Sequence, residues 1–205
     1  EIDWSIPLNS DWTLRSHAPS EQELATYHLR VASNKEYDAD KSHRAANLLS
    51  AILTITSTET SAKALLTSDA EVEVLDRICN RNEELFDGQL LLAQIPHHGS
   101  IHNHHFVFWS RFEKVFGCPA IISVGENEKY RHPDRQVVHD FHALGFKVWS
   151  TNDVNGFKEY KKDNVDELLS LNLDAVSFLL GHDTDGRDLS FHLSAHHATA
   201  ITTVE

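Results

Sequence analysis

The stretch LLLAQI, residues 90 to 95, carries no charge, and it constrains this chain more than any other segment. A strand with one wet face alternates apolar and polar residues. A continuous apolar run of this length reads instead as a strand buried on both faces, the habit of parallel strands covered by helices. The run leads straight into PHHGS. Two imidazoles at the mouth of a buried strand raise the question of a bound metal, in a chain that holds 15 histidines among 205 residues.

The segments around this strand have clear periods. AANLLSAILTI and AKALL read as two strands of a hairpin separated by the polar turn STETS. After Ser68 and Asp69, the stretch AEVEVLDRICNRNEEL places Val72, Leu75, Ile78 and Cys79 at helical spacing, with Asp69 where an acidic side chain caps. Beyond the central strand, HHFVFWSRFEKVFG predicts a helix that stacks Phe106, Trp109, Phe112, Val115 and Phe116 on one side and stops at Gly117. PAIISVG predicts a short strand, PDRQVVHDFHALG a helix beginning at Pro133, and FKVWST another strand. Upstream, WTLR reads as a strand and SEQELATYHLRVAS as a helix or an inserted loop, with a solvated connection over 34–45. In the tail, LDAVSFLL and LSFHLSA read as strands on either side of the turn-rich GHDTDGRD. The alternation predicts a layered α/β domain.

Composition bounds the function. With 40% hydrophobic and 24% charged residues, the chain has the material for one ordinary globular core. No apolar run reaches the roughly 18 residues of a membrane helix and no signal-peptide pattern opens the chain. Cys79 and Cys118 are too few for a disulfide framework and favour a reducing, cytoplasmic setting, with a bond between the two left open. The formal charge of −13 argues against extensive contact with duplex nucleic acid, whose non-specific binding rests on clustered lysine and arginine. The lack of any methionine predicts that Glu1 is not the native start and that the chain is one part of a longer protein.

The chemistry-bearing residues gather at strand ends. One strand delivers Ser68 and Asp69, the next His97, His98, Gly99 and Ser100, and the next Ser123, Gly125, Glu126 and Asn127, followed by Tyr130, His132 and Pro133. Ligands in open α/β sheets collect at such edges. Aspartate and histidine are natural ligands for zinc or manganese. The bland readings are an N-cap for Asp69, satisfied polar residues at a strand exit for His97 and His98, and turn hydrogen bonding for Ser100 and Ser123.

NLLS with Asn47 and Ser50, LLTSD, IPHHGS, SVGENEKYRHP and VWSTNDVNG stand here in an order and spacing that resemble the C-terminal half of a metallo-β-lactamase-fold domain. The subgroup it looks like is the ComEC-type competence proteins and their stand-alone relatives, over roughly residues 45 to 157. The resemblance implies a four-layer αββα sandwich, of which 1–160 would be the C-terminal half and 161–205 an extension. It implies one or two metal ions, zinc or manganese, that activate water for hydrolysis of a phosphodiester or nucleic-acid substrate, or of another small molecule. Asp69 matches the bridging aspartate, although Ser68 stands where the family usually has glycine. His97 matches the late metal-binding histidine, with His98 an alternative. His132 matches the histidine of the HP block, a catalytic or substrate contact more than a ligand; Asn127 and Ser100 fall at substrate-facing positions.

One departure weighs against this. The family's N-terminal half carries an HxHxDH cluster, and none occurs in this sequence. His102, His104 and His105 do not replace it by position, and His192, His196 and His197 read as surface histidines. An N-terminal half or a second chain would have to complete the site. The alternatives are a non-catalytic binding or scaffold protein that keeps the fold, and a metal-binding interaction module.

Overall fold

The computed structural model describes residues 4–33, 46–81, 83–126, 128–163, 190–193 and 198–201. Eight strands form one mixed sheet: β1 (Ser5–Pro7), β2 (Trp12–Ala18), β3 (Ile52–Ser57), β4 (Lys63–Leu66), β5 (Gln89–Gln94), β6 (Glu113–Lys114), β7 (Pro119–Ile122) and β8 (Lys147–Ser150). The order is β1-β2-β3-β4-β5-β7-β8, with β6 beside the start of β5. The first four strands pair antiparallel, while β4, β5, β7 and β8 run parallel. The helices are α1 (Glu21–Ser33), α2 (Val72–Arg81), α3 (Phe106–Ser110), α4 (Arg135–Ala143) and α5 (Asn155–Asp163). A separate hairpin pairs β9 (Ser190–Leu193) with β10 (Ala198–Ile201). No helix among the described residues is long and apolar enough to cross a membrane.

The LLLAQI run is β5, inside the parallel half, as a two-sided apolar strand requires. One face of the sheet supplies Ile52, Leu65, Leu90, Ala93, Ala120 and Val148 to the core. Val74, Leu75 and Ile78 of α2, Phe108 and Trp109 of α3, Val137, Val138 and Phe141 of α4 and Phe157 of α5 fill the same cluster. The opposite face is also apolar. Register aligns Ile6, Leu14, Ile55, Ala64 and Leu92 in one transverse row, with Leu53 beside Leu66 and Ile121 beside Trp149. Ile6 is 49% exposed, and Leu14, Leu53, Ile55, Leu66 and Ile121 are half-buried. None of these joins the helix-covered core.

Several expectations need correction. The aromatic segment is helical only over Phe106–Ser110 and then turns extended, because Glu113 and Lys114 pair with the start of β5. Phe108, Trp109 and Phe112 are buried, whereas Phe106 is 47% and Phe116 96% exposed, so the five residues do not form one buried stripe. The first hairpin strand starts at Ile52; Ala46 and Asn47 are instead helical and Leu48 and Leu49 form the turn after them, with Leu49 N–H bonded to Ala46 O at 2.9 Å. Helix α4 starts two residues after Pro133, capped by the Asp134 carboxylate, which accepts from Gln136 N–H at 2.8 Å. WTLR lies in β2, and the segment SEQELATYHLRVAS, read as a helix or a loop, is helical as α1 over Glu21–Ser33. The LSFHLSA strand is present as β9, whereas LDAVSFLL and the connection over 34–45 lie outside the described residues. Cys79 and Cys118 are free and buried, and burial pushes the Cys118 thiol up to about 12.

Candidate functional site

The ends of β4 and β5 are tied together by side-chain bonds that β-sheet pairing alone would not supply. Gln94 Oε1 accepts the backbone N–H groups of Thr67 and Ser68, both at 3.0 Å, and Thr67 Oγ1 donates to Gln94 O at 2.8 Å. This lays the Ser68–Asp69 loop beside the 3₁₀ turn His97–Gly99, where His97 N–H reaches Ser68 O at 3.0 Å. Ser68, His97 and His98 all have positive φ, at 48°, 47° and 57°. Non-glycine residues adopt that region at a cost of about 1–3 kcal/mol each, and such residues cluster where structure serves a site.

The loop carrying His132 is drawn in by the glycines on either side of it. Gly99, at φ 79°, lies so close to Pro133 that a Cβ there would stand 2.6 Å from the proline Cβ. Asp134 N–H donates to Gly99 O and Gly156 N–H to Pro133 O, each at 2.9 Å. Asn155 Nδ2 donates to His132 O at 2.6 Å. The His97 ring then stands 5.9 Å from the His98 ring and 5.8 Å from the His132 ring, edge to face with both. Tyr130 stacks on His132 with centroids 6.0 Å apart.

Asp69, His97, His98 and His132 are thus brought to one edge of the sheet. His98 Nε2 faces Asp69 Oδ1 at 4.0 Å, and its Nδ1 lies 2.5 Å from Ser123 O. A carbonyl only accepts, so Nδ1 carries a proton, and in the neutral ring Nε2 is the nitrogen left with a lone pair, 4.0 Å from the Asp69 carboxylate oxygen. Two ligands with zinc bonds of about 2.0–2.2 Å stand somewhat nearer each other than this, so a small closure would let one cation bridge the pair. Among the described residues no group of three His, Cys, Asp or Glu is arranged to hold a metal, so the pair fits part of a metal site and further donors must come from elsewhere. Among the described residues the contact recorded for the Asp69 carboxylate is the one with His98.

A groove of about 600 Å³ opens beside the histidines, with Asn47, Glu71, Tyr130, Arg131, His132 and Ser100 among its walls. Burial, and after it the neighbouring His97 and His98, hold the His132 imidazole below its usual value, so at neutral pH it is uncharged. Ser100 is buried, its N–H bonded to His97 O at 3.0 Å and its carbonyl to Asn103 N–H at 3.1 Å, a turn role. Asn127 lies outside the described residues, as do His196 and His197. His104 and His105 serve the scaffold: His104 Nε2 pairs with Asp140 at 3.0 Å and His105 Nδ1 accepts Phe108 N–H at 3.0 Å.

Two contributors were given no site role by the sequence reading, Glu71 and Asn47, the latter noted there only within the NLLS motif. Asn47 Nδ2 lies 3.2 Å from His97 Nδ1 and 3.1 Å from Glu71 Oε1. Asn47 belonged to a segment read as strand, and nothing in the spacing of Glu71 distinguished it from any helix-start acid. Comparison of the chain with protein-family models, with characterised proteins and with solved structures finds no match.

Proposed function

We propose that this chain is part of a metal-dependent hydrolase of the metallo-β-lactamase type, acting on a phosphodiester, with its mixed sheet forming the C-terminal half of a four-layer αββα sandwich. The observation that carries the reading is the Asp69–His98 pair, an imidazole nitrogen and a carboxylate oxygen 4.0 Å apart at one edge of the sheet, with the other ring nitrogen held by the Ser123 carbonyl. The half-exposed apolar face of the sheet supports the sandwich, since a further layer is what such a face needs. Two free, buried thiols support a cytoplasmic setting.

Asp69 and His98 would hold zinc or manganese. The ion, when bound, supplies a water acidic enough to attack at neutral pH. The Ser123 carbonyl keeps the His98 ring oriented and its proton on Nδ1, an arrangement typical of metal-binding histidines. Neutral His132, stacked on Tyr130, stands at the groove where it exchanges hydrogen bonds with a substrate oxygen. Lys129 and Arg131 share the groove wall with Glu71 and Asp134, and Arg131 also faces Glu159 at 3.6 Å, so in a chain of net −13 the site lacks the basic surface of a duplex binder and suits a small phosphodiester better.

The test is metal analysis together with hydrolysis of bis(p-nitrophenyl) phosphate by the native-length protein loaded with zinc or manganese. Asp69→Ala and His98→Ala are expected to lose both metal and turnover, while His132→Ala keeps its metal and loses about 10- to 100-fold in rate. Absence of turnover with either metal would leave the second reading, a non-catalytic binding or scaffold protein. That reading is favoured by the lack of HxHxDH in the sequence and of a three-donor group among the described residues.

A further inference from the structure

His97 and His98 are neighbours in sequence, yet their Nδ1 atoms meet partners of opposite kind. His98 Nδ1 faces a carbonyl oxygen and must donate. His97 Nδ1 faces the side-chain nitrogen of Asn47 at 3.2 Å. That amide cannot be turned over without loss, because the same nitrogen lies 3.1 Å from Glu71 Oε1, a carboxylate oxygen that only accepts. One amide hydrogen goes to Glu71 and the other to His97. His97 Nδ1 is therefore the acceptor, and the neutral ring keeps its proton on Nε2. His97 borders both the recess that holds His98 and the larger groove along Tyr130 and His132.

We propose that Asn47 and Glu71 are positioning residues that hold His97 in the Nε2–H form, as a hydrogen-bond donor to an anionic oxygen in the groove, while His98 is held in the opposite form for a cation. The two imidazoles thereby divide between them the two halves of recognising a metal-bound phosphate ester. The identity of the ligand rests on the hydrolase reading; the protonation pattern does not.

The experiment is long-range proton–nitrogen NMR on the full chain with ¹⁵N-labelled histidine, at a pH above the imidazole range. In the unaltered chain His97 is expected to have an imine-type Nδ1 and a protonated Nε2, and His98 the reverse. Asn47→Asp places an acceptor where a donor stood and should move the His97 proton to Nδ1. Asn47→Ala, which adds no charge beside Glu71, should give a mixture of the two forms. Inorganic phosphate should shift the His97 Nε2–H signal, with binding about tenfold weaker in either variant, the scale of one lost hydrogen bond to a charged group. A protonated Nδ1 on His97 in the unaltered chain, or a tautomer that neither substitution alters, overturns the positioning role. Phosphate that leaves His97 unmoved overturns the donor role. These readouts involve no turnover, so failure of phosphodiester hydrolysis strikes only the functional reading above.

Discussion

Ser68 and Gly99 occupy the same left-handed backbone region, at φ 48° and 79°, on the two loops that meet at the histidines. At Ser68 the chain accepts the cost of a side chain there; at Gly99 it does not, and Pro133 fills the space a Cβ would need. Their substitutions should therefore differ in sign. Ser68→Gly is expected to stabilise by about 1 kcal/mol through relief of the left-handed penalty, and Gly99→Ala to destabilise by about 2 kcal/mol or more, since the penalty and the Pro133 contact add. Urea denaturation midpoints decide it, and a neutral Gly99→Ala would contradict the close packing of the two loops. Serine at position 68 was visible in the sequence as a departure from a glycine pattern. Its backbone conformation, the one glycine adopts most cheaply, was not.

At the scale of elements, α4 and α5 meet through His142, which stacks on Tyr160 with centroids 4.8 Å apart, and through Arg135 and Asp163 at 2.9 Å. Burial, with a smaller push from His139, lowers His142 from 6.5 to about 4. Burial also lowers His104, in spite of its bond to Asp140. Between about 4 and 6.5 the unfolded chain binds more protons than the folded one, so stability must fall as pH drops through that window. His142→Phe keeps a ring against Tyr160 and removes one proton-binding group. Its melting temperature is expected to depend less steeply on pH from 6.5 down to 4 than that of the unaltered chain; equal slopes would mean that His142 is open to solvent. The helices and strands that pack by simple periodicity, such as α2 with its buried Leu75, Ile78 and Cys79, were legible from spacing, although Val74 is buried there where the spacing pointed to Val72. The segment after His105 was not, because pairing of Glu113 and Lys114 with β5 outweighs the helical pattern of its aromatics. The strand ends announced Asp69, His97 and His98 by residue type. What distinguishes the two histidines is their hydrogen-bond partners 25 and 50 residues away in sequence, Ser123 and Asn47, which no local pattern reports.

Across the whole molecule, the two faces of the sheet are unequal. One is closed by four helices and the other presents the row Ile6, Leu14 and Ile55 to a partial cover, with Leu53 and Leu66 next to it. Contiguous exposed apolar surface marks a contact site or an aggregation liability. Ile55→Gln and Leu66→Gln should together reduce binding of a hydrophobic dye and self-association in sedimentation experiments, while each costs about 1 kcal/mol or less in stability because both side chains are only half-buried. A cost of several kcal/mol would mean that this face is already packed. From sequence, the layered α/β class was readable in the alternation of elements, but the apolar outer face was not, since it comes from register across five strands rather than from any one of them. That same register has a kinetic side. Apart from the short β6, the strands of the sheet lie side by side in the order in which they are synthesised, and none is threaded between two earlier ones. Each new strand can dock on an edge already formed, so the sheet can grow from its N-terminal hairpins outward as the chain leaves the ribosome, with the histidine-bearing turn completed only after β7 has arrived to supply the Ser123 carbonyl.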